Sequence, residues 1–140
     1  MSERFDEDAL LEGARTAAMR ALIRGTESVR NEALTLILKT AKTGRIYRRG
    51  RRQHQASAPG EAPASDTGTL VNRIRTSYDP DNLVGTITAS TAYAAPLEYG
   101  TSRMAARPYL RPALANRLDA ITADIQREVS AAVAAVLRSE

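Results

Sequence analysis

Apolar residues in the first third of the chain recur at three- and four-residue steps. Leu11, Ala14, Ala18, Leu22, Val29, Ala33 and Ile37 share one face of a helix expected from about Asp6 to Thr43. Acids crowd its first turns (Asp6, Glu7, Asp8, Glu12) and Lys39 and Lys42 its last, as the macrodipole favours, and Gly44 is placed to supply a left-handed cap. Gly25 lies on the same face and costs about 1 kcal/mol against Ala, so it either admits a close neighbour or marks a bend. A stronger periodicity runs through Leu110, Leu114, Leu118, Ile121, Ile125, Val129, Ala132 and Val136. Pro112 has no amide proton and belongs in a first turn, which predicts a helix from near Arg111 to about Leu137.

Between the helices the pattern changes twice. Residues 44–68, GRIYRRGRRQHQASAPGEAPASDTG, are almost free of apolar side chains and are expected to project without contributing to a core. Arg45 to Gln55, around Gly50, suits a short hairpin, while Ala56 to Ala64, with Pro59, Gly60 and Pro63, reads as extended or irregular. Ser65 or Asp66 can cap a helical turn through Leu70 and Val71. Ile74, Thr76 and Tyr78 then alternate with polar residues, Asp79 to Asn82 suits a type I turn, and Leu83 to Ser90 alternates again. Two strands alone are marginal in water, so this hairpin lies on the helices or joins strands of another copy. The expected architecture is one α+β domain spanning 1–140, with long N-terminal and C-terminal helices packed on a small antiparallel sheet and an extended basic loop or hairpin at 44–68.

Tyr93 to Pro112 joins the two halves, and its prolines, tyrosines and glycine mark it as a shaped segment. Tyr93, Leu97, Tyr99, Gly100, Pro108, Tyr109 and Pro112, with Leu110, are expected to form a structural joint between helix and hairpin. Arg103, Met104 and Arg107 crowd the same stretch, a mixture enriched at protein interfaces, and read as interface residues. Aromatics make up only 4% of the chain and Trp is absent, so the core must come from Leu, Ile, Val and Ala, which favours close-packed helices.

The net charge of +4 conceals an asymmetry. Lys39, Lys42, Arg45, Arg48, Arg49, Arg51 and Arg52 hold seven of the 20 bases, and no acid occurs from Ala33 to Gly60. The other 13 bases against 16 acids leave the rest of the chain at −3. The run around Arg45, Tyr47, Arg48, Arg49, Arg51 and Arg52 admits three readings: contact with nucleic-acid phosphates, docking on an acidic protein surface, or a solvated tip.

Catalytic patterns are missing, and no enzyme and no cofactor is expected. His54 is the only histidine and has no acid nearby in the sequence; without Cys there is neither a thiol nucleophile nor a thiolate metal site. Asp79 and Asp81 lack the spacing of a calcium loop and read as turn formers, and Gly44, Gly50 and Gly60 are too widely spaced for a phosphate cradle. The acidic opening MSERFDEDALLEG is unlike a secretory signal, and no apolar run nears the roughly 20 residues a membrane crossing needs, so a soluble protein is expected.

Two stretches, HQASAPGEAPASDTGTL (His54 to Leu70) and YAAPLEYGTSRMAARPYLRPAL (Tyr93 to Leu114), resemble the tail-completion or head-tail joining proteins of long-tailed bacteriophages and related gene transfer agents. The positions that carry the resemblance are Ser57 to Gly60, Pro63, Thr67, Gly68 and Leu70, then Tyr93, Glu98, Tyr99, Gly100, Thr101, Arg107, Pro108, Tyr109 and Pro112. Together the stretches cover about 40 of 140 residues. The resemblance implies a non-enzymatic virion protein, assembled in the host cytoplasm, that forms a homo-oligomeric ring at the head-tail junction. Its implied partners are further copies of itself, head connector or adaptor proteins, tail terminator or tail tube proteins, and double-stranded DNA in the channel. Tail terminator and minor capsid roles are the related alternatives, and a nucleic-acid-binding module using Arg45 to Arg52 is a separate one. Under the implied role, Pro59 and Pro63 would stiffen docking arms that order on assembly.

Overall fold

In the computed structural model residues 6–65 and 68–138 are described, without the side chain of Arg49. Asp66 and Thr67, singled out above as a cap and as a motif position, lie outside them.

The first helix, α1 (Glu7–Lys39), starts where the sequence provides a cap: the Asp6 carboxylate accepts the Ala9 amide at 3.0 Å. It ends four residues short of Thr43. Lys42 folds back and donates its Nζ to the Leu36 carbonyl at 2.7 Å, and the Thr40 hydroxyl donates to the same carbonyl, so side chains satisfy the first carbonyl of the last turn. The expected glycine cap is therefore not used. Gly44 instead sits where a Cβ would lie 2.6 Å from the carbonyl oxygens of Ala56 and Ser57, and that close approach excludes a side chain.

Strands β1 (Ile46–Arg49) and β2 (Arg52–Gln55) pair antiparallel as an exposed hairpin. Gly50 takes φ +61° at the head of the two-residue Gly50–Arg51 turn, the position that a type II′ hairpin reserves for glycine. Beyond β2 the chain returns to the body instead of projecting. Ala62 packs on the main core and Pro63 is buried, so the second half of 44–68 contributes to the core after all. The short helix α2 (Thr69–Asn72) follows Gly68 at φ +77°, without a side-chain cap, which removes the capping role expected of Ser65.

Strands β3 (Ile74–Asp79) and β4 (Val84–Ala89) form the second hairpin. Asp79 Oδ1 accepts the amides of Asp81 and Asn82 in its turn, and Leu83 takes φ 53° where β4 begins. Ile74, Thr76, Tyr78, Gly85, Ile87 and Ala89 share the face turned to α1. There Glu27 Oε1 accepts the hydroxyls of Thr76 (2.7 Å) and Tyr78 (2.6 Å), Arg30 Nε reaches the Ile74 carbonyl (3.2 Å), and Arg15 reaches the Asp81 carbonyl (2.6 Å). Among the described residues the four strands make two separate two-stranded sheets, giving the α+β architecture that the pattern predicts.

Helix α3 (Ala94–Tyr99) leads through the joint into α4 (Leu110–Arg138), which runs back along α1. Pro112 falls in the first turn of α4 as required. Small residues set the helix contact: a Cβ on Gly25 would lie 2.9 Å from the Ile121 side chain, so this glycine admits a neighbour. From Val29 onward the buried face of α1 is the expected one, but earlier it runs through Ala17 and Ala21, leaving Leu11 exposed. Arg24 with Asp124 (3.0 Å) and Glu32 with Arg117 (2.7 Å) flank the contact. The main core gathers Ile37, Leu70, Ile74, Ala94 and Tyr109, and a smaller one Val29, Ala33 and Ala113. Among the described residues no helix is long and apolar enough to cross a membrane.

Candidate functional site

The two motif-bearing stretches converge on one node. The Gly60 amide donates to the Ala106 carbonyl at 2.9 Å, and Arg107 Nε donates to the carbonyl of buried Ser57 at 3.2 Å. Gly100 shapes the intervening turn at φ 76°, ψ 177°, a region open essentially to glycine, and a Cβ there would meet backbone of Met104 and Ala106 at 2.9 Å. Thr101 and Met104 close the turn with paired backbone hydrogen bonds.

At the centre of the node is Glu98, only 3% exposed. Nothing at the start of α4 can cap it, because RPYLRP contains no Ser, Thr, Asp or Asn. Glu98 supplies the missing acceptor from α3: its carboxylate takes the amides of Tyr109 (2.7 Å), Leu110 (3.0 Å) and Arg111 (2.7 Å), and Arg111 Nε at 3.3 Å. Burial alone would raise its pKa, but those three amides and the guanidinium together outweigh burial and hold it below its ordinary value. The sequence marks Glu98 only as a position of the resemblance and gives it no role; the absence of a capping residue before α4 is the further signal for it.

The joint residues divide differently from expectation. Tyr109 is buried, with its hydroxyl 3.4 Å from the Ala94 carbonyl and its pKa pushed up to about 12 chiefly by burial. Leu97, Pro108, Leu110 and Pro112 are half-buried around it. Tyr99 is 67% exposed, with the Arg111 guanidinium 4.9 Å from its ring, and Tyr93 is exposed too, so these two tyrosines line the surface instead of plugging a gap. Among the interface candidates, Arg107 is engaged internally through Ser57 and Met104 is half-buried, which leaves Arg103 exposed. Pro59 is exposed, whereas Pro63 is buried and cannot serve as a docking contact on this surface.

The arginine hairpin rises from the same node on a stiff base. The Gly44 amide donates to the Ala56 carbonyl (3.0 Å) and the Ala56 amide to the Arg45 carbonyl (2.9 Å), and Glu61 ties Thr43 to Ala58 by accepting both amides and the Thr43 hydroxyl. The Thr43 hydroxyl first, then the amides of Ala58 and Thr43, hold the Glu61 pKa down to about 2. Arg45, Arg48, Arg51 and Arg52 are exposed, and the Arg45 guanidinium lies 5.4 Å from the exposed Tyr47 ring. The Arg49 side chain is outside the described residues.

A second surface feature lies beside the start of α4. A groove of about 470 Å³ runs between α4 and β4 with α1 as its floor, lined by Leu22, Val29, Ile87, Leu114, Leu118 and Ile121. Leu118 is 50% exposed there, so the apolar stripe of α4 is only partly used by the chain's own fold. Among the described residues no three His, Cys, Asp or Glu side chains gather as a metal site. In comparisons with protein-family models, curated proteins and solved structures, nothing matches this chain.

Proposed function

We propose that this chain is a structural virion protein that assembles as a homo-oligomeric ring at the head-tail junction, joins the tail to the DNA-filled head and forms part of the DNA conduit. The observation that carries the reading is the convergence of the two motif-bearing stretches. Ser57 and Gly60 from the first are hydrogen-bonded to Arg107 and Ala106 from the second, so the resemblance belongs to one packed node instead of two scattered strings.

Self-assembly has two supports. The Ser90 amide donates to the Arg73 carbonyl, and carrying that alternation along the ladder turns the backbone groups of Gly85, Ile87 and Ala89 away from β3. That edge borders the apolar groove beside Leu114 and Leu118, and a strand edge next to uncovered apolar surface is suited to pairing with another chain. Contacts of this kind between copies close into a ring when their rotation allows it. Head connector or adaptor proteins lie on one side of the ring and tail terminator or tail tube proteins on the other. Particles from a strain lacking the protein should appear as filled heads and separate tails; joined, infectious particles from that strain would refute the role.

A further inference from the structure

The densest positive charge in the sequence sits on the β1–β2 ribbon, and its distribution over that ribbon selects a partner. We infer that the β1–β2 ribbon enters the major groove of duplex DNA and contacts phosphates on both walls. The strand register pairs Arg48 with Gln53 on one face of the ribbon and Tyr47 with His54 on the other. Arg52 shares the Tyr47 face by strand alternation, Arg45 joins that face through its contact with the Tyr47 ring, and Arg51 occupies the turn at the tip. Cations therefore project from both faces and from the end.

A flat acidic protein surface would meet one face and leave the other in solvent. A groove with phosphates on two walls meets both. The dimensions agree: four-residue strands extend about 14 Å at about 3.4 Å per residue, and the major groove, about 12 Å wide and 8.5 Å deep, admits a two-stranded ribbon. Arginine forks suit phosphate oxygens, and the Gly44, Ala56 and Glu61 contacts hold the ribbon in place before binding, so little ordering entropy is lost. Single strands are the poorer fit, because they bind through successive stacking aromatics and the ribbon carries only Tyr47. The contacts are to phosphates, so they are independent of base sequence.

The test uses the full chain and a fluorescein-labelled mixed-sequence duplex of about 24 base pairs, with anisotropy followed from about 50 to 200 mM NaCl. Four phosphate contacts should give a log–log salt slope of about −3 to −4. Arg48→Ser and Arg52→Ser, one from each face, should each weaken binding and reduce the magnitude of that slope by about 1, with unchanged far-UV circular dichroism. No binding at the lowest salt would overturn the inference. So would loss confined to one of the two variants, which would mean a flat partner; polyglutamate competing as well as duplex, which would mean an acidic protein surface; or tighter binding of a 24-nucleotide oligo-dT. The inference does not depend on the ring: DNA binding can fail while the junction role stands, and particles can remain joined without the protein while the ribbon still binds DNA.

Discussion

Beside the 3.3 Å ion pair between Arg111 Nε and the carboxylate, two contacts that involve backbone join Glu98 and Arg111. The Glu98 carboxylate accepts the Arg111 amide at 2.7 Å, and the Arg111 guanidinium reaches back to the Glu98 backbone carbonyl at 2.9 Å. The first contact caps α4 and the second closes the end of α3, so one pair fixes the angle at which the C-terminal helix leaves the joint.

Glu98→Ala should leave the Tyr109, Leu110 and Arg111 amides without their acceptor. Loss of a cap together with a buried charge-assisted hydrogen bond costs about 2–4 kcal/mol. Glu98→Gln keeps one acceptor oxygen and should lose about half as much. Urea unfolding reads both, and an alanine variant within about 0.5 kcal/mol of the parent would show that solvent can replace the cap.

Acid should weaken the fold through carboxylates that the folded chain holds below their ordinary pKa, Glu98 and Glu61 among them. Glu98 and Glu61 both have folded pKa values below the ordinary 4.5, Glu61 at about 2. Each holds its proton less tightly when folded, so its stabilisation is complete above about pH 4.5 and disappears as pH falls through the folded value. The thermal midpoint should be flat near neutrality and fall from about pH 4.5 towards pH 2. Glu61→Gln should lower the midpoint at neutral pH and flatten the part of the fall nearest pH 2. A parent midpoint that rises on acidification would contradict this.

Gly85 and Thr26 provide a packing test. A Cβ at Gly85 would lie 2.1 Å from Thr26 Oγ1, where β4 crosses α1. Gly85→Ala should cost about 1–3 kcal/mol by overpacking. Thr26→Ala opens the space, so the double variant should recover much of that loss in a mutant cycle. Simple additivity would mean that the strand shifts freely over the helix.

Arg103 and Arg107 should separate surface from fold. Arg107→Ala removes the donor to buried Ser57 and should cost about 1–3 kcal/mol. Arg103→Ala should change stability by less than about 0.5 kcal/mol while reducing head-tail joining. A large loss of thermal stability in the Arg103 variant would assign that side chain to the fold.

The sequence pattern made the two long helices and both hairpins legible because each is specified locally: Leu and Ile at helical steps in α4, alternation across Ile74 to Ala89, acids in the first turns of α1, and glycine at the tip of β1–β2. What stayed hidden depends on partners distant in the chain. Lys42 ends α1 through a carbonyl six residues back, Gly44 is demanded by Ser57, and Glu98 caps a helix that begins twelve residues later. The shift of the buried face to Ala17 and Ala21 was equally illegible, because there α1 packs on one helix and small side chains permit the closer approach. In the candidate site, the exposed arginines could be identified from charge alone, but the engagement of Arg107 and the burial of Pro63 required the folded chain.

The most direct measurement for the proposed role is a side-chain-resolution reconstruction of the intact particle. The expected result is a closed ring between the head connector and the tail tube whose subunits show two long antiparallel helices, the β3–β4 hairpin and the Glu98-capped joint, with the β1–β2 ribbon directed at the DNA channel. A junction fully accounted for by other chains, with this fold absent from it, would contradict the proposal.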